Sequence, residues 1–499
     1  MNRRDFVRTV GAASAALMMH GAFADKRKDN RPNILLIYAE DICPDLSCYG
    51  TKAVQTPILD KMAADGIRFA NAFVTGPVCS ASRSAMMCGM YQTAIGAHNH
   101  RTAKKRPLPP PVKPFPQLLK EAGYYTVIKG KTDLNFLWDK KAALSSTKDW
   151  AGRPEGRPFF CQMTFAVTHR KFKRDPENPI DPKAVDVPPI YAEHPIIRRD
   201  WTDYLESIQI MDRQVGEVLK RLENEGIAEN TLVIFAGDHG RCMPRGKQFC
   251  YDGGIHIPLI VRWPKVVKAG QVSDEMTSAI DISATILKCA GIDVPKWMQA
   301  RPFLPEDQTN RKYIFAARDR CDGTADRIRC VRSKQFKYLR NFYPDRPYTQ
   351  LNAYKERQYP PLAVMKLLYK QGRLTPAQAQ FMAPTRPPEE LYDLKADPHE
   401  LNNLAGEPKY AKILKKYRAE LDNWIKTAND MGRTPEDPKE AQRQYEVMVG
   451  NHKKYLKAMG VEDGDLEGIV AYWERAFKTA AAPAEKNDGK PTKKKRPRR

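Results

Sequence analysis

The stretch 33-NILLIYAED-41 decides the fold, because a nearly continuous apolar run ends directly in two carboxylates. Such a run is typical of a strand that is buried on both faces of a parallel sheet. Glu40 and Asp41 then follow the carboxyl end of the strand, which is where open α/β sheets bind their ligands. The stretch therefore predicts an α/β fold with a functional site at the end of its first strand.

Strand and helix patterns alternate on the carboxyl side of this stretch. Further buried strands are predicted at residues 67–73, 124–128, 159–165, 232–236 and 259–261. One helix is predicted from Thr56-Pro57 to Asp65, since proline is favoured at the first helical position. Another is predicted over residues 196–224, where apolar residues recur at helical spacing. The alternation predicts an α/β fold with a mostly parallel central sheet sandwiched by helices.

The pattern changes after about Pro302. Short strand-like segments at residues 313–317, 328–332 and 336–339 predict a smaller C-terminal α+β subdomain on an antiparallel sheet. The proline-rich segment 344–388 is predicted to be irregular, and 391-LYDL-394 to be a turn, with helices from Lys409 and over residues 440–459. The predicted units are a signal peptide (1–24), a catalytic domain (32–302), the C-terminal subdomain (303–430), a helical extension (431–479) and a disordered basic tail (480–499).

The amino terminus carries a twin-arginine pattern, Arg3-Arg4, followed by a short apolar stretch and the small-residue site 22-AFA-24. This pattern predicts export by the twin-arginine translocase to the periplasm or the exterior. An amphipathic or anchoring helix is the alternative. No later apolar run is long enough to span a membrane.

The formal net charge of +24 predicts attraction to polyanions. Charge alone does not distinguish nucleic acid, anionic lipid and acidic polysaccharide. An export signal favours a polysaccharide, and no nucleic-acid partner is expected.

The chain contains ten cysteines, too few for a disulfide scaffold, and no CxxC metal-binding pair. Two disulfides are predicted as candidates for an oxidising compartment, Cys321 with Cys330 and Cys242 with Cys250.

The segment 78-VCSASRSAMMCG-89 carries the central chemical motif. Gly76-Pro77 predicts a turn and residues 82–90 a helix, so Cys79 lies at a helix N-terminus, where backbone N–H groups and the helix dipole favour anions. Arg83, four residues on, lies on the same face. Taken alone, the pattern also fits a buried structural cysteine or a thiol of lowered pKa.

This segment resembles the signature of type I sulfatases, Cys-x-Pro/Ala-x-Arg, at Cys79, Ala81 and Arg83. The resemblance implies a fold of the alkaline-phosphatase superfamily. It also implies that Cys79 is oxidised to formylglycine (3-oxoalanine) by a formylglycine-generating enzyme or an anaerobic sulfatase-maturating enzyme. Ala81 stands where proline is the more usual residue.

Two acidic pairs also resemble the family, Glu40-Asp41 after the first strand and Asp238-His239 after a later one. The resemblance implies a divalent cation held by Glu40, Asp41, Asp238, His239 and the modified Cys79. The carboxylates favour Ca2+, whereas the imidazole makes Mn2+ the alternative.

Three further residues occupy the positions of the family's cationic and acid groups. Lys131 and Lys247 correspond to sulfate-binding lysines, and His169 to the histidine that protonates the leaving group. Other residues are predicted to bind substrate, with structural ion pairs as the alternative for the arginines. These candidates are Asp133 (in place of a family histidine), His98, His100, Arg318 and Arg320.

The resemblance implies an enzyme that hydrolyses sulfate esters, and in one variant N-sulfates, of a sulfated carbohydrate. Two alternatives stay open. One is a phosphoester or phosphonate ester hydrolase of the same superfamily, and the other is an inactive protein that binds sulfated glycans because Cys79 is never oxidised.

Overall fold

The computed structural model describes residues 31–304 and 311–479. The predicted signal peptide (1–24) and basic tail (480–499) lie outside the described residues. None of the helices in the described ranges has the length and apolar character needed to cross a membrane.

The strands form one large sheet and two smaller ones. The strands are β1 (Asn33–Ala39), β2 (Ile67–Phe73), β3 (Arg106–Pro107), β4 (Tyr125–Lys129), β5 (Phe136–Leu137), β6 (Phe159–Phe165), β7 (Thr231–Gly237), β8 (Leu259–Arg262), β9 (Gln271–Ser278), β10 (Ile314–Arg318), β11 (Ile328–Arg332), β12 (Phe336–Asn341) and β13 (Glu389–Asp393). The large sheet has the order β4-β6-β1-β7-β8-β2-β9, and β8 is the strand in it that runs antiparallel to its neighbours. The prediction of a mostly parallel central sheet is therefore confirmed.

The helices cover this sheet and extend across the C-terminal half. The α-helices are α1 (Pro57–Ala64), α2 (Cys79–Cys88), α3 (Phe115–Glu121), α4 (Lys140–Ala143), α5 (Pro195–Asn224), α6 (Asp252–Ile255), α7 (Asp281–Cys289), α8 (Ala353–Gln358), α9 (Pro360–Lys370), α10 (Pro376–Gln380), α11 (Ala411–Thr427), α12 (Pro438–Met459) and α13 (Leu466–Thr479). Residues 200–209 of the long helix α5 are buried on every side, and in its second half the apolar positions Met211 and Val215 of the predicted periodicity are buried.

Strand β1 lies in the middle of the large sheet, and all seven of its residues are buried. It pairs in parallel with both β6 and β7, and Ala39 lies opposite Phe165 on one side and Gly237 on the other. The carboxyl ends of three adjacent parallel strands therefore meet at one edge of the sheet. The segments that follow these strands are brought together there.

The second sheet, β10-β11-β12-β13, is antiparallel throughout, which confirms the predicted C-terminal α+β unit. Two predictions within this half were wrong. The segment 391-LYDL-394 is mostly the end of strand β13 rather than a turn, because Tyr338 and Lys337 of β12 pair with it. Residues 344–388 contain helices α8, α9 and α10 rather than irregular chain.

The prolines of that segment stand where helices tolerate them. Pro360 is the first residue of α9 and Pro376 the first residue of α10. Proline lacks an N–H, but the first turn of a helix has no intrahelical acceptor for that N–H in any case. A proline-rich composition is thus compatible with several short helices.

Helices α12 and α13 fold back over the rest of the chain. Helix α12 contacts α8, and α13 contacts α9 and α5. The C-terminal helices therefore reach elements that precede them by up to 280 residues or so in sequence, a span much longer than local patterns report.

Both disulfide predictions were wrong, since all ten cysteines are free and nine of them are buried. Cys330 lies within β11 opposite Leu339, and burial raises the pKa of its thiol to about 12. The buried cysteines other than Cys79 act as small core residues.

Candidate active site

The site forms where the ends of β1 and β7 meet. The backbone N–H of Asp41 donates to Oδ1 of Asp238 at 2.9 Å, which ties the two strand ends together. Asp41 has a φ of 54°, in the left-handed region that non-glycine residues rarely adopt. Both carboxylates are fully buried. The strained, buried position fits a residue held in place for function.

Cys79 is the first residue of α2, and no side chain caps the helix N-terminus. Its Sγ lies 3.1 Å from Nε2 of His239 and 3.9 Å from Oδ1 of Asp41. Together with Asp238 these residues form a buried cluster whose candidate ligand atoms all lie within 4.8 Å of one another. Four of the five predicted metal-site residues are therefore brought together.

Glu40, the fifth, lies beside this cluster rather than in it. Its Oε2 accepts a hydrogen bond from Nζ of Lys131 at 2.8 Å, and its Oε1 is 3.9 Å from Nη2 of Arg83. The carboxylate is almost completely buried. In this arrangement Glu40 holds two cations of the site in position.

The predicted cations surround the cluster. Lys247 donates to both carboxylate oxygens of Asp41, at 2.9 and 3.0 Å, and Nε of Arg83 donates to Oδ2 of Asp238 at 2.9 Å. The buried Nη2 of Arg83 has no hydrogen-bond partner among the described residues. A buried, charged N–H group without a partner indicates that an additional acceptor, such as an anionic ligand, belongs at this place.

The electrostatics of the cluster favour ionised groups despite its burial. Burial raises the pKa of Asp41, but nearby Lys247, His239 and His169 outweigh it and hold that pKa well below its usual range. Burial lowers the pKa of His239, but Asp238, Cys79 and Asp41 outweigh it and raise that pKa to about 10. The carboxylates thus stay charged in the interior, as a cation site requires.

The donor set fits a divalent cation. Nδ1 of His239 lies 2.9 Å from the carbonyl oxygen of Gly240. When a bound cation displaces the Nε2 proton, the Nδ1–H donor in that bond leaves the lone pair of Nε2 facing the cluster, which is the usual way that proteins orient a histidine ligand. The carboxylates of Asp41 and Asp238 suit Ca2+ or Mn2+, and the imidazole suits Mn2+ better.

His169 follows β6 and stands on the open side of the cluster. Its Nδ1 lies 2.7 Å from the carbonyl oxygen of Arg170, and its Nε2 lies 3.6 Å from Oδ2 of Asp41. The hydroxyl of Tyr354, from α8, lies 3.5 Å from the same Nε2. Sequence reasoning missed Tyr354 because it lies in the segment predicted to be irregular, and no motif distinguishes it.

A cavity of about 780 Å3 opens above this site. His100, Arg101, His169 and Lys247 line one side. Helices α8 and α12 form the opposite wall, which contains Tyr354, Arg357, Gln444, Asn451, Lys454 and Tyr455. The wall from α12 belongs to the predicted helical extension, for which the sequence suggested no role in the site.

The residues predicted to bind substrate fall into two groups. His100 lines the cavity, with its Nδ1 2.9 Å from Oγ of Ser80, and burial lowers its pKa to about 3. Asp133 lies at the edge, 2.9 Å from Nη2 of Arg101, which itself lines the cavity. These two residues support the helix N-terminus and the entrance.

The other three candidates are not part of the cavity wall. Arg318 is buried and pairs with Asp326 at 2.8 Å, and Arg320 is buried and pairs with Glu436 at 2.5 Å. These are the structural ion pairs that were the alternative for the arginines. His98 has a buried Nδ1 without a partner among the described residues, and its pKa is lowered by burial.

Comparisons with known proteins agree with this geometry. The model of the sulfatase family matches residues 32–146 and 139–292, and that of the N-sulphoglucosamine sulphohydrolase C-terminal region matches residues 237–383. An ulvan-active sulfatase of Formosa agariphila is 34% identical over 81% of this chain and 76% of its own length. Human N-sulphoglucosamine sulphohydrolase is 27% identical over 79% of this chain and 89% of its own length.

Among solved structures, a putative sulfatase of Bacteroides thetaiotaomicron has a TM-score of 0.60 and 22% identity, and the match covers 82% of this chain and 96% of the other. This likeness concerns the fold. The match to the family model and the 34% identity to the Formosa enzyme show that the chain belongs to the sulfatase family. The prediction of a sulfuric ester hydrolase is confirmed.

Proposed function

We propose that this protein removes sulfate from a sulfated polysaccharide outside the cytoplasm, at a formylglycine formed from Cys79 beside a divalent cation. The observation that carries the proposal is the buried cluster of Asp41, Cys79, Asp238 and His239 at the N-terminus of α2. An electrophilic sulfuryl group with three oxygens needs cationic partners, and Nη2 of Arg83, which has no hydrogen-bond partner among the described residues, lies next to this cluster.

Two groups that the chain does not supply in its unmodified form complete the chemistry. Hydrated formylglycine supplies a hydroxyl nucleophile, and a divalent cation in the cluster supplies Lewis acidity and charge compensation. In the net reaction, water is consumed, the bond between sulfur and the bridging atom is broken, and sulfate and the alcohol or amine are released.

The residues of the chain divide the remaining work. Lys247, Lys131 and Arg83 bind the sulfuryl oxygens, and so stabilise the negative charge that develops on them. Asp238 and Asp41 hold the cation, and Glu40 holds Lys131 and Arg83 at the site. His169 donates a proton to the leaving atom from Nε2, because its Nδ1 is already engaged with the carbonyl of Arg170.

The substrate class rests on charge and on the width of the cavity. The chain has a formal net charge of +24, and its cavity of about 780 Å3 is larger than a sulfate group requires. The relatives include an ulvan-active sulfatase and an N-sulphoglucosamine sulphohydrolase. A sulfated glycan, carrying O-sulfate or N-sulfate, is consistent with all of these features.

The remaining expectations complete the proposal. Residues 1–24 direct export through the twin-arginine translocase, and a maturation enzyme modifies Cys79 before the chain folds. Ca2+ is the first candidate for the metal, with Mn2+ as the alternative because of His239.

Mass spectrometry of the peptide that contains Cys79, purified from the native host, tests the proposal. Conversion of the thiol to an aldehyde lowers the peptide mass by about 18 Da. A peptide with an unmodified thiol in every preparation would overturn the catalytic proposal and leave the inactive glycan-binding protein in its place.

Replacing the modified residue is expected to abolish turnover. Cys79→Ala should lower kcat on an aryl sulfate by at least about a thousandfold, because it removes the nucleophile. Cys48→Ala is the matched control: its thiol is also free and lies outside the cluster. Substantial activity of Cys79→Ala in the steady-state assay would contradict the mechanism.

A further inference from the structure

A second cavity of about 710 Å3 adjoins the catalytic one. Arg357 of α8 and Tyr455 of α12 line both cavities, so the two are direct neighbours. We call this second cavity the aromatic groove. It is enclosed by the loop after β6, by α5 and by the C-terminal helix α13.

The groove combines aromatic rings from three parts of the chain. Its aromatic side chains are Phe172, Tyr455, Tyr472, Trp473 and Phe477. The rings of Tyr472 and Trp473 lie 5.5 Å apart, and those of Trp473 and Phe477 lie 6.1 Å apart. All of them are partly exposed. Faces of such rings pack against apolar C–H surfaces, which a pyranose ring also presents.

Two polar atoms of side chains that line the groove lack hydrogen-bond partners in the part of the chain that the structure describes. The hydroxyl of Tyr455 and Nε1 of Trp473 have no hydrogen-bond partner in the described part of the chain. Buried polar groups in native proteins nearly always find a partner in protein, water or ligand. Both atoms are themselves buried, so a small movement of the two side chains is needed before a polar ligand or bound water can accept a hydrogen bond from them.

The charges of the groove are predominantly positive. Its two carboxylates, Asp200 and Asp203, are already paired with Arg170 and Arg174. Within residues 31–304 and 311–479, Lys171, Lys173 and Arg357 form no ion pair with an acidic side chain. Three cations beside aromatic rings fit a ligand that is both a carbohydrate and an anion.

We propose that the aromatic groove binds further residues of the anionic glycan whose sulfate lies in the catalytic cavity. This inference rests on the proposed function and extends it: the substrate is a chain of several sugars, and α13 is part of the specificity surface. The shared border at Arg357 and Tyr455 favours this occupant, because a chain that extends from the catalytic cavity past these two residues reaches the groove.

The test compares substrates of different length on the formylglycine-containing enzyme. Trp473→Ala and Lys171→Ala are each expected to lower kcat/KM for a sulfated hexasaccharide of ulvan or heparin by about tenfold, mainly through KM. The loss on 4-nitrocatechol sulfate should be no more than about twofold, because that molecule is too small to reach the groove.

Two control variants carry matched residues that lie outside the groove. Arg475→Ala changes an exposed cation of α13, and Lys453→Ala changes an exposed cation of α12, and neither lines the groove. Both variants should leave kcat/KM unaltered for the hexasaccharide and for 4-nitrocatechol sulfate. If Trp473→Ala proves unstable in thermal unfolding, Lys171→Glu on the exposed loop gives the same comparison.

The outcomes separate the two proposals. Equal losses of kcat/KM on the long and short substrates, or no loss on either, would overturn the proposal that the groove binds glycan. If Trp473→Ala and Lys171→Ala instead lose binding to phosphatidylserine vesicles while their hexasaccharide turnover stays intact, the glycan proposal is overturned and this face is assigned to a membrane. An enzyme that contains formylglycine but cleaves no sulfate ester would overturn the proposed function itself.

Discussion

At the residue scale, the carboxylates of Asp41 and Asp238 dominate the site. Both are buried and ionised, since nearby cations lower the pKa of each despite burial. Two charged carboxylates in a low-dielectric interior attract a divalent cation strongly, and only the folded protein presents them together.

Metal binding is therefore expected to stabilise the fold. Adding Ca2+ or Mn2+ at about a hundred times its Kd should raise the free energy of unfolding by about 2.7 kcal/mol. Asp238→Asn should reduce this gain sharply, whereas Asp181→Asn, at an exposed loop position, should preserve it. Thermal melts of the chelated protein with and without metal provide the measurement. An undiminished gain in Asp238→Asn would contradict the assignment of this residue.

His100 illustrates a residue whose environment makes it sensitive to acid. It is buried against Ser80, and burial lowers its pKa from 6.5 to about 3. Below pH 6.5, His100 therefore binds a proton in the unfolded chain, whereas in the folded protein it stays neutral until about pH 3. The stability that depends on neutral His100 is complete above pH 6.5 and is lost progressively as the pH falls toward 3.

Replacing His100 with glutamine should flatten this part of the stability profile. When the pH falls from 7 to 5, titration of His100 is expected to lower the free energy of unfolding by about 2 kcal/mol. The variant His100→Gln should not show this loss. Urea unfolding at the two pH values measures the difference. Comparison at pH 7.5, where the histidine is neutral in both states, isolates the cost of the altered bond to Ser80. Parallel losses in both proteins would contradict the prediction.

At the scale of elements, the position of α12 against the catalytic unit is decisive, because α12 forms a wall of the cavity. Gly323, next to the lining residue Asp322, permits this close approach. A Cβ at position 323 would lie 2.7 Å from the carbonyl oxygen of Gln444 and 2.8 Å from Cβ of Met448. Both neighbouring atoms belong to the rigid body of the helix and cannot move aside individually.

Gly323→Val is expected to push α12 outward. The clash should cost about 1–3 kcal/mol of stability and raise KM for an oligosaccharide, since the wall of the cavity is displaced. Gly450→Ala is the matched control on the same helix, where a Cβ meets nothing within 4 Å. It should stabilise the protein by up to about 1 kcal/mol, because alanine favours helix. Thermal unfolding and kinetics of both variants test this; unchanged stability of Gly323→Val would contradict it.

Across the whole molecule, net charge governs how a polyanion approaches. The formal charge of +24 attracts a sulfated polysaccharide over distances that depend on salt. Raising NaCl from about 20 mM to about 200 mM shortens the screening length from about 20 Å to about 7 Å. The same change in salt weakens the attraction of a substrate with a single negative charge much less.

The KM for a sulfated polysaccharide should therefore rise by about tenfold over this range of salt. The KM for a monoanionic aryl sulfate, measured under the same conditions, should rise by no more than about twofold. Matched sodium acetate serves as a control for specific effects of chloride. Equal rises for both substrates would indicate that long-range charge has no part in substrate capture.

Much of the site could be predicted because its residues directly follow local patterns. Buried strands place Glu40-Asp41 and Asp238-His239 at their carboxyl ends, and a turn before a helix places Cys79 at an N-terminus. Parallel pairing then brings these ends together without further information. The sequence by itself thus determined the α/β fold, the family and the centre of the site.

Only the tertiary structure decided what surrounds that centre. Tyr354, Arg357 and the residues of α12 reach the cavity from segments that follow His239 by more than a hundred residues, and no local period predicts which of their side chains face inward. Arg320 is ion-paired in the interior because Glu436, more than a hundred residues further along the chain, comes to lie beside it. Packing between distant segments sets these contacts, whereas periodicity and composition report only on neighbours along the chain.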